Sequence, residues 1–409
     1  MKRHISIAAI FTVLMLVIVI FLCIRIGNKR APKDKSDAVF VSNEAIEYDS
    51  MRGLWVSFIT LDMSGTDRSF DSFKKKFDAI ITDAKNLGTN TLIVQVRPFS
   101  DALYESDIYP HSHIISGEQG KSPSYDALGY MCEATHKAGL RIHAWINPYR
   151  VATPSSPAVL SENSPYYIDD GVGFETESGK FLNPASEKAR EIIIDGVKEI
   201  VENYDVDGIQ FDDYFYPADC GDFDAENYSA YIKATPDAAS ALPLKLWRQN
   251  NVNLLLSRTY MEIKRINPSV VFGVSPQGNI QNDYDMGADV KAWCETVGYM
   301  DYICPQMYYS IDNPLKGFEE SLIEWKEFSY HKDLEIYIGL GAYKIETDAD
   351  NGTWISNQDE LREQLKLLRE YGYDGYMIYD YSALESDEKA KCLDVFREAV
   401  YEEMTSPLQ

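Results

Sequence analysis

The chain has 409 residues, of which 45% are hydrophobic, 12% aromatic and 25% charged, enough apolar material for one large core and too much for a disordered tail. Lys and Arg total 39 against 64 Asp and Glu, and the first 35 residues hold seven of the basic groups with only Asp34 opposing them. The rest has 32 basic and 63 acidic groups, a net charge of −31. That charge repels nucleic acid, anionic lipid and phosphate-rich wall polymers, and it points to a neutral or small partner.

From Ile5 to Ile24 twenty residues run without a charge, about 30 Å of helix, the thickness of a bilayer's hydrocarbon. The stretch Leu22-Cys23-Ile24-Arg25 lacks the small residues of a cleavage site. Residues 1–26 are therefore predicted as an uncleaved transmembrane helix; a lipid-modified Cys23 or a secreted form are the alternatives. Residues 27–48 read as a polar linker, and 49–405 as the folded body. The six cysteines are scattered with no C-x-x-C pair, so they read as core or isolated thiols.

After the linker, short apolar runs alternate with longer amphipathic stretches, and they do so eight times. The strand candidates are RGLWVSF from Arg52, TLIVQVR from Thr91, RIHAWIN from Arg141, DGIQFDD from Asp207, VVFGVS from Val270, DYICPQMY from Asp301, EIYIGLG from Glu335 and DGYMIYD from Asp374. Between them lie stretches such as SFKKKFDAIITDAKNLG, YDALGYMCEATHKAG, SEKAREIIIDGVKEIVENY, LPLKLWRQNNVNLLLSRTYMEIKRI and QDELREQLKLLREYG, with apolar residues three and four apart. Several end in Gly just before the next strand, as helix C-caps do. Eight β-then-α units predict an α/β fold, a (β/α)8 TIM barrel, in place of an open nucleotide-binding sheet, for which no G-x-G-x-x-G or P-loop is present.

Strand alternation then assigns faces. In GIQFDD the apolar Ile209 and Phe211 suit the helix side, which turns Gln210 and Asp212 inward. The same count turns inward Gln95 and Arg97, then His143, Trp145 and Asn147, then Gln306 and Tyr308. Asp213 points toward the flanking helix or next loop, as a cap or loop ligand, unless a bulge lets it exchange places with Asp212. Polar groups thus collect at the strand C-termini, where barrel enzymes keep their chemistry.

RGLWVSF, QVRPFSDALY, HAWINPYR, FLNP, DGIQFDDYFYP, PQMYYS and DGYMIYDYS, in that order from about Arg52 to Leu384, resemble the bacterial glycoside-hydrolase-like family 10, the DUF187 group of surface proteins. The resemblance implies a barrel glycosidase of the cell envelope acting on peptidoglycan strands or a related polysaccharide. It also sets the orientation. Basic residues after the span favour an inward body, but long domains translocate largely regardless of such charge, so the expected location is the cell membrane with the catalytic domain outside.

Glycosidic cleavage usually needs two carboxyls, one protonating the leaving oxygen and one serving as base or nucleophile. Asp212 is the first candidate. The second is left among Asp101, which matches the family's DALY segment, Glu105 on the same loop, and Asp380 at the end of the last strand. Arg97, His143, Asn147, Arg150 and Gln306 could bind sugar hydroxyls or N-acetyl groups, with Trp145, Asp213, Tyr214, Tyr308 and Tyr309 completing the rim. Further aromatics, Tyr149, Phe215, Tyr216, Tyr379 and Tyr381, fall at the same strand ends. The histidines give no H-x-x-x-H, so no metal or cofactor is expected and a zinc-dependent deacetylase lacks its ligands. TDADNG at Thr347 lacks the distal Glu of a calcium loop and reads as a turn. G-x-S-x-G is missing as well, which argues against a serine hydrolase. The rival from another class is a catalytically inactive glycan-binding protein on the same barrel, which needs the aromatic and amide set but no carboxyl pair.

Overall fold

In the computed structural model, which describes residues 50–405, every predicted strand is present. The predicted membrane helix and linker lie outside the described residues; among the described residues no helix is long and apolar enough to cross a membrane. In chain order the strands are β1 (Met51–Val56), β2 (Thr91–Arg97), β3 (Arg141–Ile146), β4 (Arg150–Ala152), β5 (Gly173–Thr176), β6 (Gly179–Leu182), β7 (Gly208–Phe211), β8 (Val271–Val274), β9 (Tyr302–Ile303), β10 (Glu335–Leu340) and β11 (Gly375–Ile378). Eight of them close into a parallel barrel in the order β1, β11, β10, β9, β8, β7, β3, β2. β4, β6 and β5 form a small antiparallel sheet inserted after β3, which periodicity did not announce.

The principal helices are α1 (Phe70–Asn86), α2 (Ala127–Lys137), α3 (Glu187–Asn203), α4 (Leu244–Ile266), α5 (Val290–Glu295), α6 (Phe318–Lys326), α7 (Glu360–Glu370) and α8 (Ala390–Thr405), one after each barrel strand. The sequence pattern showed α1, α2, α3, α4 and α7. Of the others, α5 and α6 have only six and nine residues, too few turns for a clear 3.6 period. Gly88 and Gly139, which follow α1 and α2, adopt φ of 83° and 78°, the left-handed conformation that ends a helix at little cost only for glycine.

Two apolar layers flank the barrel wall. The outer layer packs Leu92, Val94, Ile142, Ala144, Ile209, Phe211 and Ile303 against the helices. The inner one fills the barrel with Met51, Trp55, Ile93, Trp145, Tyr302, Cys304, Tyr337 and Met377. The five cysteines among the described residues are free, and four of them are buried.

The barrel floor is fastened by a repeated device. Asn90, Asp207, Asp301 and Asp374, each just before a strand, accept a hydrogen bond from the backbone N–H of Arg52, Ile142, Phe272 and Ile336 in the strand before. Short polar side chains thereby satisfy strand ends that the ladder leaves open. At β9 the expected run is cut short. Pro305 has no N–H to give the ladder, and the chain rejoins through an isolated bridge at Gln306.

Inside the barrel, a Cβ at Gly273 would stand 2.0 Å from the Tyr302 ring. Gly273→Ala is expected to lower stability by about 1–3 kcal/mol, as overpacking does, read as a lower Tm; an unchanged melt would mean that Tyr302 is free to move aside.

Candidate active site

Two adjacent carboxyls follow β7 at the barrel mouth. The β7 ladder ends at Phe211, so Asp212 and Asp213 lie past the last strand residue, where alternation no longer applies. Both reach the mouth. The expectation that Asp213 turns toward a helix or loop is thereby corrected: Gln306 Nε2 donates to its Oδ1 at 3.0 Å and Gln277 Nε2 to its Oδ2 at 3.1 Å. Asp212 Oδ2 accepts from Trp145 Nε1 at 2.9 Å, and its Oδ1 from the Tyr214 N–H at 3.5 Å. The two carboxyls share a cavity of about 50 Å³ with Trp55, Trp145, Gln210, Tyr214, Ser275, Gln306, Tyr308 and Tyr379, room for one or two waters.

Burial sets the protonation of this pair. Desolvation, then the charge of Asp213, raises the Asp212 carboxyl to about 7, with Arg150 and the Trp145 bond opposing. Asp213 is also raised by burial, but two amide donors and Arg150 favour its charged form. The first proton therefore settles on Asp212, whose Oδ1 meets only a long backbone contact. Arg150 is anchored through Nε to the Pro98 carbonyl at 3.1 Å, and its guanidinium lies 5.0 Å from the ring centres of both Phe99 and Tyr214.

Beneath the cavity runs a chain of neutral groups. Trp55 Nε1 donates to Gln210 Oε1 at 2.6 Å, and Gln210 Nε2 donates to the Tyr302 hydroxyl at 3.2 Å. That hydroxyl lies 3.0 Å from His143 Nδ1. The second ring nitrogen, His143 Nε2, is buried with no hydrogen-bond partner. Burial lowers the His143 pKa to about 4, so the ring is neutral at physiological pH. It faces inward as alternation required but lies in the barrel's interior, outside the cavity lining.

Other predicted residues sit elsewhere. A register shift between Gln95 and Arg97 marks a bulge in β2, which turns Arg97 to the outside. Its guanidinium lies buried over the Tyr109 ring at 4.6 Å and against Gly196 of α3. The loop after β2 then leaves the mouth. Glu105 is exposed, 3.9 Å from His111, and its backbone N–H bonds the Tyr204 hydroxyl beyond the end of α3. Asp101 is fully buried against Gln119 and His113. Asp380 is held by the hydroxyls of Ser57 and Ser382 and does not line the cavity. Asn147 spends its Oδ1 on the Arg150 N–H, and Tyr309 packs against the outer core. Among the further aromatics, Tyr149, Phe215, Tyr216 and Tyr381 belong to that outer core, while Tyr379 lines the cavity.

Trp55, Ser275 and Gln277 were not singled out from sequence. The signal existed: continuing the inward parity of Gly53 along β1 reaches Trp55, and that of Gly273 along β8 reaches Ser275 and then Gln277. Gln277 is fixed in turn by Asp283, which accepts its backbone N–H at 2.8 Å, and by Asn282, which donates to its Oε1 at 3.0 Å.

Residues 50–356 match the family described as glycosyl hydrolase-like 10. The chain is 32% identical to glycosyl hydrolase YngK of Bacillus subtilis over 78% of this chain and 66% of that protein. It is 33% identical to glycosyl hydrolase DigH of Escherichia coli K12 over 78% and 79% of the two chains. Among solved structures, the glycoside hydrolase domain of PgaB from Bordetella bronchiseptica superposes with a TM-score of 0.56 at 13% identity, covering 85% of this chain and 99% of that one. At that identity the likeness is one of fold.

The folded value of Asp212 lies above that of an unfolded aspartate, so its protonated form stabilises the fold. That contribution is whole below about pH 4 and is lost as pH rises through about 7. Asp212→Asn cannot ionise. It should melt near wild type at pH 4 and above it at pH 8; parallel melting curves across that range would show that the carboxyl is not desolvated.

Proposed function

The chain belongs to the glycosyl hydrolase-like 10 family, and from that premise we propose that it hydrolyses glycosidic bonds with Asp212 as proton donor and Asp213 as its anionic partner. One observation carries the assignment: a carboxyl raised to about 7 beside a second carboxyl held by two amide donors. A glycosidase needs an acid still protonated at neutral pH and a negative charge near the anomeric carbon, where an oxocarbenium-like charge develops. Desolvation supplies the first and the Gln277 and Gln306 amides support the second. The aromatic faces of Trp55, Trp145, Tyr308 and Tyr379 suit the apolar faces of sugar rings.

The substrate we propose is a glycan strand of the cell envelope, peptidoglycan or a related polysaccharide. Local groups support this choice: Arg150 offers a cation to an N-acetyl or carboxylate-bearing sugar at the mouth of an otherwise acidic protein. The uncharged stretch from Ile5 to Ile24 supports an anchored protein, and the envelope glycan proposed as substrate would require its barrel outside the cytoplasm.

Reducing ends released from purified peptidoglycan test the assignment. Asp212→Asn and Asp213→Asn should each lower kcat by roughly a hundredfold or more, and wild-type activity should fall above about pH 7 as Asp212 ionises. Retained kcat in both variants would move the chemistry elsewhere. If wild type and variants bind the glycan and none cuts it, the inactive binding reading takes over.

Arg150→Ala should weaken binding or turnover by roughly tenfold, the worth of one charge-assisted hydrogen bond. Moderate salt should have little effect, because a screening length of about 8 Å hides the distant acidic surface. Unchanged kinetics in that variant would make the arginine a structural brace.

A further inference from the structure

Asp101 leaves the glycosidase mouth and enters a different constellation. Its carboxylate is fully buried, with Oδ2 3.4 Å from His113 Nδ1. The other ring nitrogen, His113 Nε2, lies 2.9 Å from Ser156 Oγ. The three residues come from separate stretches of the loops after β2 and β4, so only folding brings them together. The serine is half-buried and held in a turn, its N–H bonding Thr153 Oγ1 at 3.0 Å and its carbonyl accepting the Thr153 N–H at 2.8 Å. Gln119 steadies the acid, donating to Asp101 Oδ2 at 3.2 Å while its own Oε1 accepts the Ser161 N–H at 2.9 Å.

Against the expectation drawn from the missing G-x-S-x-G motif, which belongs to one fold and not to every serine triad, we propose that Ser156, His113 and Asp101 form a second hydrolytic site, a serine esterase that removes short O-acyl groups from sugar hydroxyls. The geometry assigns the roles. Asp101 favours the proton on Nδ1, which leaves Nε2 as the acceptor for the Ser156 hydroxyl. Asp101 Oδ1 and His113 Nδ1 are both buried with no hydrogen-bond partner. A buried carboxylate with spare acceptor capacity suits an imidazolium that forms beside it, more than it suits a static neutral contact. The 3.4 Å approach of Asp101 Oδ2 to His113 Nδ1 is a charge contact and not a formed hydrogen bond; catalytic hydrogen bonds often form fully only when substrate binds.

In the reaction, Ser156 Oγ bonds the acyl carbonyl carbon while His113 Nε2 takes the hydroxyl proton. The bond from that carbon to the sugar oxygen breaks, and the oxygen leaves with the proton from His113. Water then attacks the acyl-serine and gives a proton to His113, which returns it to Ser156 as the carboxylic acid departs. Water is the only co-reactant.

The choice of a sugar ester rests on the glycosidase reading and on proximity. The His113 ring packs on Phe99 at 5.5 Å, Phe99 lies 5.0 Å from the Arg150 guanidinium, and Arg150 lies 5.0 Å from the Tyr214 ring of the glycosidase cavity. One glycan could therefore meet both sites.

The test uses the full chain with p-nitrophenyl acetate and a fluorophosphonate probe. Wild type should hydrolyse the ester, and Ser156→Ala should lose about a hundredfold or more of that rate, with His113→Gln following it. Peptide mapping should place the phosphonyl adduct on Ser156, a readout that a structural hydrogen bond would not give. Release of reducing ends should be unchanged in Ser156→Ala. Equal ester turnover in wild type and Ser156→Ala, with no adduct on Ser156, overturns the proposal. Ester turnover through Ser156 with no acetate released from an O-acetylated glycan overturns the sugar-ester assignment alone, whatever the outcome for Asp212.

Discussion

Closing eight parallel strands into one ring leaves each strand residue two environments, the interior of the ring or the space beneath the helices, and backbone pleating allots them in alternation. The sheet has no free edge to absorb an error, so a single register shift changes which layer every later side chain joins. The bulge in β2 shows the consequence: Gln95 stays inside and accepts the Phe58 N–H, while Arg97 crosses to the helix side and settles on Tyr109. The same constraint makes Gly208 and Gly273 necessary, because the rings of His143 and Tyr302 occupy the room that a side chain there would need.

The interior so formed is layered by polarity. Below lies a hydrogen-bonded column of Trp55, Gln210, Tyr302 and His143, all uncharged. Above it stand Asp212 and Asp213. A neutral floor offers no cation to pull a proton off Asp212, and the nearest positive charge, Arg150, acts from the rim. The cavity beside the pair is small, about 50 Å³, and Asp212 is almost fully buried, which is the desolvation that raises the carboxyl. The acidity of the site is therefore a property of the whole barrel interior as much as of two aspartates.

The loops after β2 and the inserted sheet after β3 depart from this regularity. They carry away Asp101 and Glu105, residues that proximity in sequence to β2 had placed at the mouth. In exchange they join Asp101 to His113 and Ser156 at a site of its own. Loops of this kind obey no strand parity, and their side chains are placed by long-range packing alone.

The sequence by itself determined the architecture and the interior faces of the strands, because both follow from local periodicities: eight alternating segments, apolar stripes at helical spacing, and inward residues within the strands such as Trp145 and Gln210. It also singled out Asp212, since an acidic residue at the end of an otherwise apolar strand has few other uses. Only the tertiary structure decided where Asp213 points. Asp213 faces the mouth because β7 stops at Phe211 and because Gln277 and Gln306, 64 and 93 residues away in the chain, come within hydrogen-bonding distance of it. Such pairings, like the bulge that removed Arg97 and the loop that removed Glu105, depend on which distant segments fold against each other, and no local period encodes that choice.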